Sequence, residues 1–361
     1  MFGARLHPYR PEPRVRMALE RLGLLLRSVR VSEGGTDLEA LAAGLARKEL
    51  LLLGDGGPEG LDDPMLAVLA AERAGREGFR AGMALAAHSA ALTVLRRWTA
   101  PERFRQTCSE LASAAALATL PLSWQRGFAA AAAGIEGAAD GPPCGRLSIL
   151  PSGCQMLVLF AAASETPRAV KLWLGWGKPA AGGTRCDLEP GALERLEPLE
   201  PPVGVSAELA AADALLRLML GAAAACIGAL SDALAVVQQH CLRAAPTAAD
   251  TTPQVDQGLA EAGVLLESLR ALSYAAADAL RTWQSNANHG VLAEVGPLVA
   301  SALWFARRYG PLAAEALGSV ARQVAGAVPE RLRQRQDELH LLAGTTVDDP
   351  TLEQLIARFY R

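Results

Sequence analysis

Aromatic side chains are scarce in this chain, at 5%, so its 51% apolar content comes largely from Ala and Leu. That profile belongs to a globular protein rather than a disordered one. Net charge is small, -3 with a pI near 6.0, and gives no footing for nucleic acid or an anionic membrane surface. The six cysteines (Cys108, Cys144, Cys154, Cys186, Cys226, Cys241) include no C-x-x-C pair and no regular spacing. They read as reduced, mostly buried thiols, with no metal site among them. The segment from Met1 to Arg16 is rich in Arg and Pro and lacks the apolar core of a signal peptide. The longest uncharged apolar stretch, Leu218 to Leu230, falls short of the roughly 20 residues a bilayer span needs. Bracketed by Asp213, Arg217 and Asp232, it reads as a buried core helix, and the protein as cytoplasmic. No G-x-S-x-G or P-loop motif is present, nor an internal repeat of roughly 20–50 residues.

What the chain does have is three compositional zones, and its 361 residues suffice for two or three core-forming units. From about Val15 to Leu120 the pattern is helical: Leu38, Leu41, Leu45 and later Met65, Leu66, Leu69 recur at three-to-four-residue spacing. Thr36-Asp37 offers an N-cap, the Gly-rich run Gly54 to Gly60 breaks the helix, and a long helix from Pro64 to Arg97 follows. Residues 121–205 change character. Gly and Pro cluster at Gly141-Pro142-Pro143, Gly175 to Gly183 and Pro198 to Gly204, and between them lie Met156 to Phe160 and Ala169 to Leu174. Short apolar runs punctuated by turn residues predict a small β domain. Phe128 to Ala139 is Ala-rich and reads equally as helix. Residues 206–361 turn helical again. Leu209 to Arg243 is apolar nearly all round, as a central buried helix should be. Val255 to Trp283 and Val291 to Val328 carry at least two more helices.

Few single residues suggest chemistry by themselves. Gly54 to Gly60 follows an apolar run but lacks the register of a dinucleotide-binding turn, and reads as a plain loop. His240 and Cys241 are adjacent on a helix and point about 100° apart, which does not make a metal site. His88, on an Ala-rich helix, reads as a satisfied core histidine. Trp173 and Trp176 read as packing residues of the β zone.

Several segments, in order, resemble the acyl-CoA dehydrogenase family. Leu341-Leu342-Ala343-Gly344-Thr345-Thr346, followed by Ile356-Ala357-Arg358, is similar to that family's C-terminal pattern I-Y-E-G-T-x-E-I-Q…I-A-R. Glu39 to Gly78 is similar to its N-terminal helical stretch. Ala118-Thr119-Leu120-Pro121 resembles the T-E-P motif that meets the flavin, and Gly145 to Ile149 the segment G-x-K-x-x-I-T/S-N. Arg243 matches the first residue of R-x-Q-F-G, and Val320 to Gly326 lies where Q-x-x-G-G-x-G would be, with Gly326 its surviving glycine. The resemblance covers most of the chain from Glu39 onward.

That resemblance implies a mainly α fold with a small middle β domain: an N-terminal helical domain (1–120), a β domain (121–205) and a C-terminal four-helix bundle (206–361). It implies FAD shared across a homodimer or homotetramer, an acyl-CoA or acyl-carrier thioester as substrate, and Thr119, Ser148, Arg243, Gly326, Thr345 and Thr346 against the cofactor. The family's catalytic glutamate is replaced by Ala343. Its alternative location, in an L-E-R-L setting, is filled by Leu216 of Leu215-Leu216-Arg217-Leu218. Removing an α-proton from a thioester needs a desolvated carboxylate within hydrogen-bond reach, worth about 10² to 10⁴ in rate. His340 and Glu338 flank the motif as weak substitutes. The expectation is a divergent member with weak or no α,β-dehydrogenation. The alternatives are a non-catalytic subunit paired with a complete homologue, or a flavin-free acyl-thioester-binding protein.

Overall fold

The computed structural model describes residues 13–31, 35–36, 38–47, 63–119, 135–136, 144–145, 147–149, 156–162, 170–177, 186–188, 193–200, 207–244, 253–285 and 289–342. The N-terminal zone supplies α1 (Pro13–Ser28), the short pair β1 (Arg30–Val31) and β2 (Gly35–Thr36), α2 (Leu38–Arg47), α3 (Pro64–Glu77), α4 (Phe79–Trp98) and α5 (Pro101–Ala114). The middle zone supplies β3 (Ala118–Thr119), β4 (Ile135–Glu136), β5 (Cys144–Gly145), β6 (Leu147–Ile149), β7 (Met156–Ala162), β8 (Val170–Gly177), β9 (Cys186–Leu188) and β10 (Leu193–Leu199). Four long helices follow: α6 (Ala207–Ala244), α7 (Pro253–Ser285), α8 (His289–Ala325) and α9 (Glu330–Leu342).

The segment read as one helix from Pro64 to Arg97 is two. Asp63 caps α3 by accepting the Met65 N–H at 2.9 Å, and Pro64 fixes the first turn. Gly78 then turns extended (φ -175°, ψ 136°) and α4 begins at Phe79. What holds the break is remote in sequence. The Arg335 guanidinium on α9 donates to the carbonyls of Arg76 (3.2 Å) and Glu77 (2.9 Å). The Glu338 carboxylate, one turn further on, accepts the Phe79 N–H at 3.4 Å. Cation at a helix C-terminus and anion at the next N-terminus satisfy orphan groups of both. A continuous helix would waste both contacts.

At the centre lies α6, buried continuously from Leu216 to Leu230. It packs against α3 and α4 on one side and α8 on the other. Close approach is made by glycine. A Cβ at Gly228 would run into the Glu72 carbonyl of α3, and one at Gly221 into the Ala86 methyl of α4. By composition α6 could cross a membrane (Asp213–Arg243, mean hydropathy 1.9), but 72% of its apolar window is buried inside the protein.

A four-stranded sheet in the order β10-β8-β7-β3 packs beside the helices. β7 and β8 are antiparallel (Phe160 opposite Leu172), while β3 joins β7 in parallel (Thr119 opposite Leu157). The segment left open between helix and strand contributes β4, paired antiparallel with β5. His88 of α4 joins sheet to helices: it is fully buried, and its Nδ1 accepts the Ala118 N–H at 2.9 Å. Nε2 therefore carries the proton in the neutral ring.

Three substitutions test this packing. Gly228→Ala should lower stability by about 1–3 kcal/mol in urea unfolding, whereas Gly263→Ala, where a Cβ meets nothing within 4 Å, should raise it by about 0.4–1 kcal/mol. His88→Leu should cost about 1–3 kcal/mol, because it strands the buried Ala118 N–H. An unchanged unfolding midpoint for either destabilising variant contradicts the assigned contact.

Candidate functional site

The two residues on α6 that bear on a proton-abstracting site are Leu216 and Arg217. Leu216 is 6% exposed and presents only methyl groups. Beside it, Arg217 Nε donates to Asp213 at 3.1 Å, and both are buried. Arg97 at the end of α4 reaches the same carboxylate at 3.3 Å and lies 5.7 Å from the centroid of the Trp283 ring, a cation–π distance. A cavity of about 10 Å³ opens nearby between α3, α4 and α6, lined by Val68, Ala86, Ser89, Arg217, Leu220 and Gly221 among others. That volume admits about one water, which the unpartnered buried Ser89 hydroxyl would welcome. It does not admit an acyl chain.

The buried acids among the described residues are Glu72, Asp213 and Glu338, and a guanidinium holds each one. Glu72 of α3 accepts Arg270 of α7 at 3.0 Å, Arg76 at 3.3 Å and the Tyr274 hydroxyl. Burial, then the Glu72 charge, pushes the Tyr274 phenol well above its usual range, so it remains a donor. Glu338 accepts Arg335 Nη1 at 2.6 Å and Gln334 at 3.3 Å besides the Phe79 N–H. Its lone pairs are taken up by the joint between α3 and α4. His340 is about half exposed and sits 3.2 Å from Glu315 on α8. A thiol nucleophile fares no better. Burial pushes Cys226 up to about 12 and Cys108 up to about 11, far from a thiolate at neutral pH.

The residues assigned to a cofactor fall into two groups. Thr119, 1% exposed, lies in β3 beside His88, at the level where Ala86 of α4 faces Gly221 of α6. Arg243 is exposed in the last turn of α6, roughly 33 Å further along that helix. Gly326 ends α8, which runs parallel to α6; Val320 and Cys241 pack in one cluster near these two C-termini. Arg243 and Gly326 thus share one end of the bundle. Gly326 adopts φ +74° and its N–H returns to the Arg322 carbonyl at 2.8 Å, so its left-handed conformation stops the helix. Among the described residues, nothing lies within 4 Å of where its Cβ would be. An exposed guanidinium and an open glycine at one end of the bundle are residue types that could meet the phosphate side of a dinucleotide. Ser148 is in β6, opposite Asp187 of β9. Leu120, Ala343, Thr345 and Thr346 lie outside the described residues.

Sequence reasoning missed the ionic joints. The i,i+4 pair Asp213/Arg217 at the edge of an apolar run was the available signal. Glu72 with Arg270, and Arg335 with Glu338 against the α3–α4 break, join residues too far apart in sequence to be visible there.

No family model matches the chain, and no curated protein does. Its backbone is nonetheless similar to several solved structures over nearly its whole length. One is glutaryl-coenzyme A dehydrogenase in complex with glutaryl-CoA (14% identity, 97% of this chain and 96% of that one, TM-score 0.70). Another is dibenzothiophene monooxygenase from a Paenibacillus species (14% identity, 96% and 97%, TM-score 0.72). A third is the steroid ACAD Tcur3481-Tcur3483 (16% identity, 96% and 97%, TM-score 0.69). At such identities the likeness speaks for architecture alone, and it speaks plainly: helices, a β insert and a long-helix bundle in this order are the acyl-CoA dehydrogenase fold.

Proposed function

We propose that the protein is a divergent, soluble, cytoplasmic acyl-CoA dehydrogenase-like flavoprotein with weak or no α,β-dehydrogenation of acyl thioesters. The observation that carries this reading is the pair of base positions, Ala343 and Leu216, neither of which can accept a proton. The guanidinium contacts of Glu72, Asp213 and Glu338 support it, because none of these carboxylates is left to serve in their place. FAD is the cofactor of this reading, and it would supply hydride acceptance when bound. Arg243 and Gly326 would meet its phosphate side, with Thr119, Ser148, Thr345 and Thr346 nearer the ring. The wide spacing of Thr119 and Arg243 along one chain favours a site completed by a second chain, as a homodimer or homotetramer. The similar dibenzothiophene monooxygenase adds that the fold also carries oxygen chemistry, which does not call for a base at Ala343.

A second reading is a non-catalytic subunit that pairs with a complete homologue and lends it half a site. The two-part name of the similar steroid ACAD favours it. A flavin-free thioester-binding protein is the third.

Flavin absorbance of the purified chain separates these readings. Bound flavin with no reduction by a panel of acyl-CoAs is the outcome expected. Arg243→Gln should then weaken flavin about tenfold or more, read by fluorescence, as loss of a charge-assisted contact does. Ala343→Glu should raise flavin reduction by about 10²-fold or more. Brisk reduction by the unmodified chain would overturn the proposal. Absence of flavin, even after incubation with FAD, would leave the third reading standing; flavin binding only on mixing with a homologue would establish the second.

A further inference from the structure

Away from that site, α1 packs against α3 at a place where both helices carry arginines. The Arg73 guanidinium lies flat over Gly23 of α1, its Nε 2.6 Å and its Cζ 2.9 Å from the point a Cβ would occupy. A side chain at position 23 would push it out, so the cation's seat is built by a glycine. Arg27 stands one turn on from Gly23, on the same face of α1, and Arg76 one turn on from Arg73, on the same face of α3. One turn of each helix thus sets three cations around the contact of Arg73 with Gly23. The Nε atoms of Arg73 and Arg76 are both buried and have no hydrogen-bond partner. Arg76 has one acid, Glu72, and shares it with Arg270 and the Tyr274 hydroxyl. Among the described residues no acid forms an ion pair with Arg73 or Arg27.

Buried donors without acceptors are uncommon and costly. Like charges this close also repel. Burial lowers the Arg73 pKa, and the charges of Arg76 and Arg27 lower it further, against the opposing pull of Glu77 and Glu72. A multivalent anion removes both costs together. Planar guanidinium forks match the oxygens of a tetrahedral oxyanion better than chloride, which offers one centre and no fork.

We propose that Arg27, Arg73 and Arg76 form a binding site for a phosphate-type oxyanion, supplied as inorganic phosphate or as the terminal phosphate of a small phosphomonoester. The site joins α1 to α3, and it is independent of the flavin reading, which concerns the far end of α6 and the region of β3.

Isothermal titration calorimetry of the full chain tests it, with potassium phosphate, glycerol 2-phosphate and, at matched ionic strength, potassium chloride. The expected result is saturable binding of one phosphate per chain with no matching signal from chloride. Arg73→Gln should weaken it about tenfold or more. Arg105→Gln on α5, an exposed cation paired with Glu102, should leave it unchanged. Tighter binding of glycerol 2-phosphate assigns the site to a monoester, and tighter binding of inorganic phosphate to the free ion. Should Arg73→Gln not fold, Arg27→Gln, whose side chain is exposed, carries the same test. Equal heats from chloride and phosphate overturn the proposal, as does wild-type affinity in the arginine variants.

Discussion

One guanidinium, that of Arg335, holds the helical layers in register. It is 1% exposed, and every face of it is engaged: Nε on Asp232 of α6 at 2.8 Å, Nη1 on Glu338, Nη2 on the last carbonyls of α3. Arg331 reaches the same Asp232. A buried charge is tolerable only when paired and hydrogen-bonded, and stripping one member of such a group typically costs about 3–5 kcal/mol. The arrangement therefore does more than hold α9 in place. It permits the chain to break at Gly78, since both helix ends exposed by the break find partners.

The second constraint is the thinness of the helix contacts. With few aromatics, the interior of α3, α4 and α6 is filled by Ala and Gly, and backbones approach until Gly228 meets the Glu72 carbonyl. Small residues give each helix little apolar area, so closeness must supply through dispersion what bulk would otherwise supply. Ionic joints between the layers then act as registers. Glu72, Arg270, Tyr274 and Ser231 tie α3, α6 and α7 at one level, and Arg281 grips the Asp63 cap of α3 at another, with contacts of 2.9 and 3.0 Å. A slide by one turn would separate every one of these charges from its partner. Close packing also explains why the cavity at Ser89 stays water-sized.

Much of this was legible in the sequence. Apolar periodicity gave the long helices: Leu209 to Arg243 against the observed Ala207–Ala244, Val255 to Trp283 against Pro253–Ser285. Short runs between turn residues located two sheet strands, Met156 to Phe160 within Met156–Ala162 and Ala169 to Leu174 overlapping Val170–Gly177. The division at Gly78 was not legible. A lone glycine in a helical pattern is compatible with continuity, and only Arg335 and Glu338, contributed from far along the chain, make the break favourable. The same distance hid the Glu72 and Arg335 clusters. For the candidate site, the sequence named residues but not their separation. Thr119 and Arg243 look like parts of one motif set on paper, and the straight run of α6 puts them at opposite levels.

The two lost base positions differ in what the surrounding structure would make of a carboxylate. At Leu216 a glutamate would sit in the core, 6% exposed, where the neighbouring guanidinium of Arg217 is already committed to Asp213. Adjacent helix positions point about 100° apart, so that cation would not face it, and the glutamate would remain an unpaired buried charge. Position 216 therefore disfavours a carboxylate through its burial. The other base position, Ala343, follows α9 in sequence, and α9 itself is tied to α3 and α6 through Arg335.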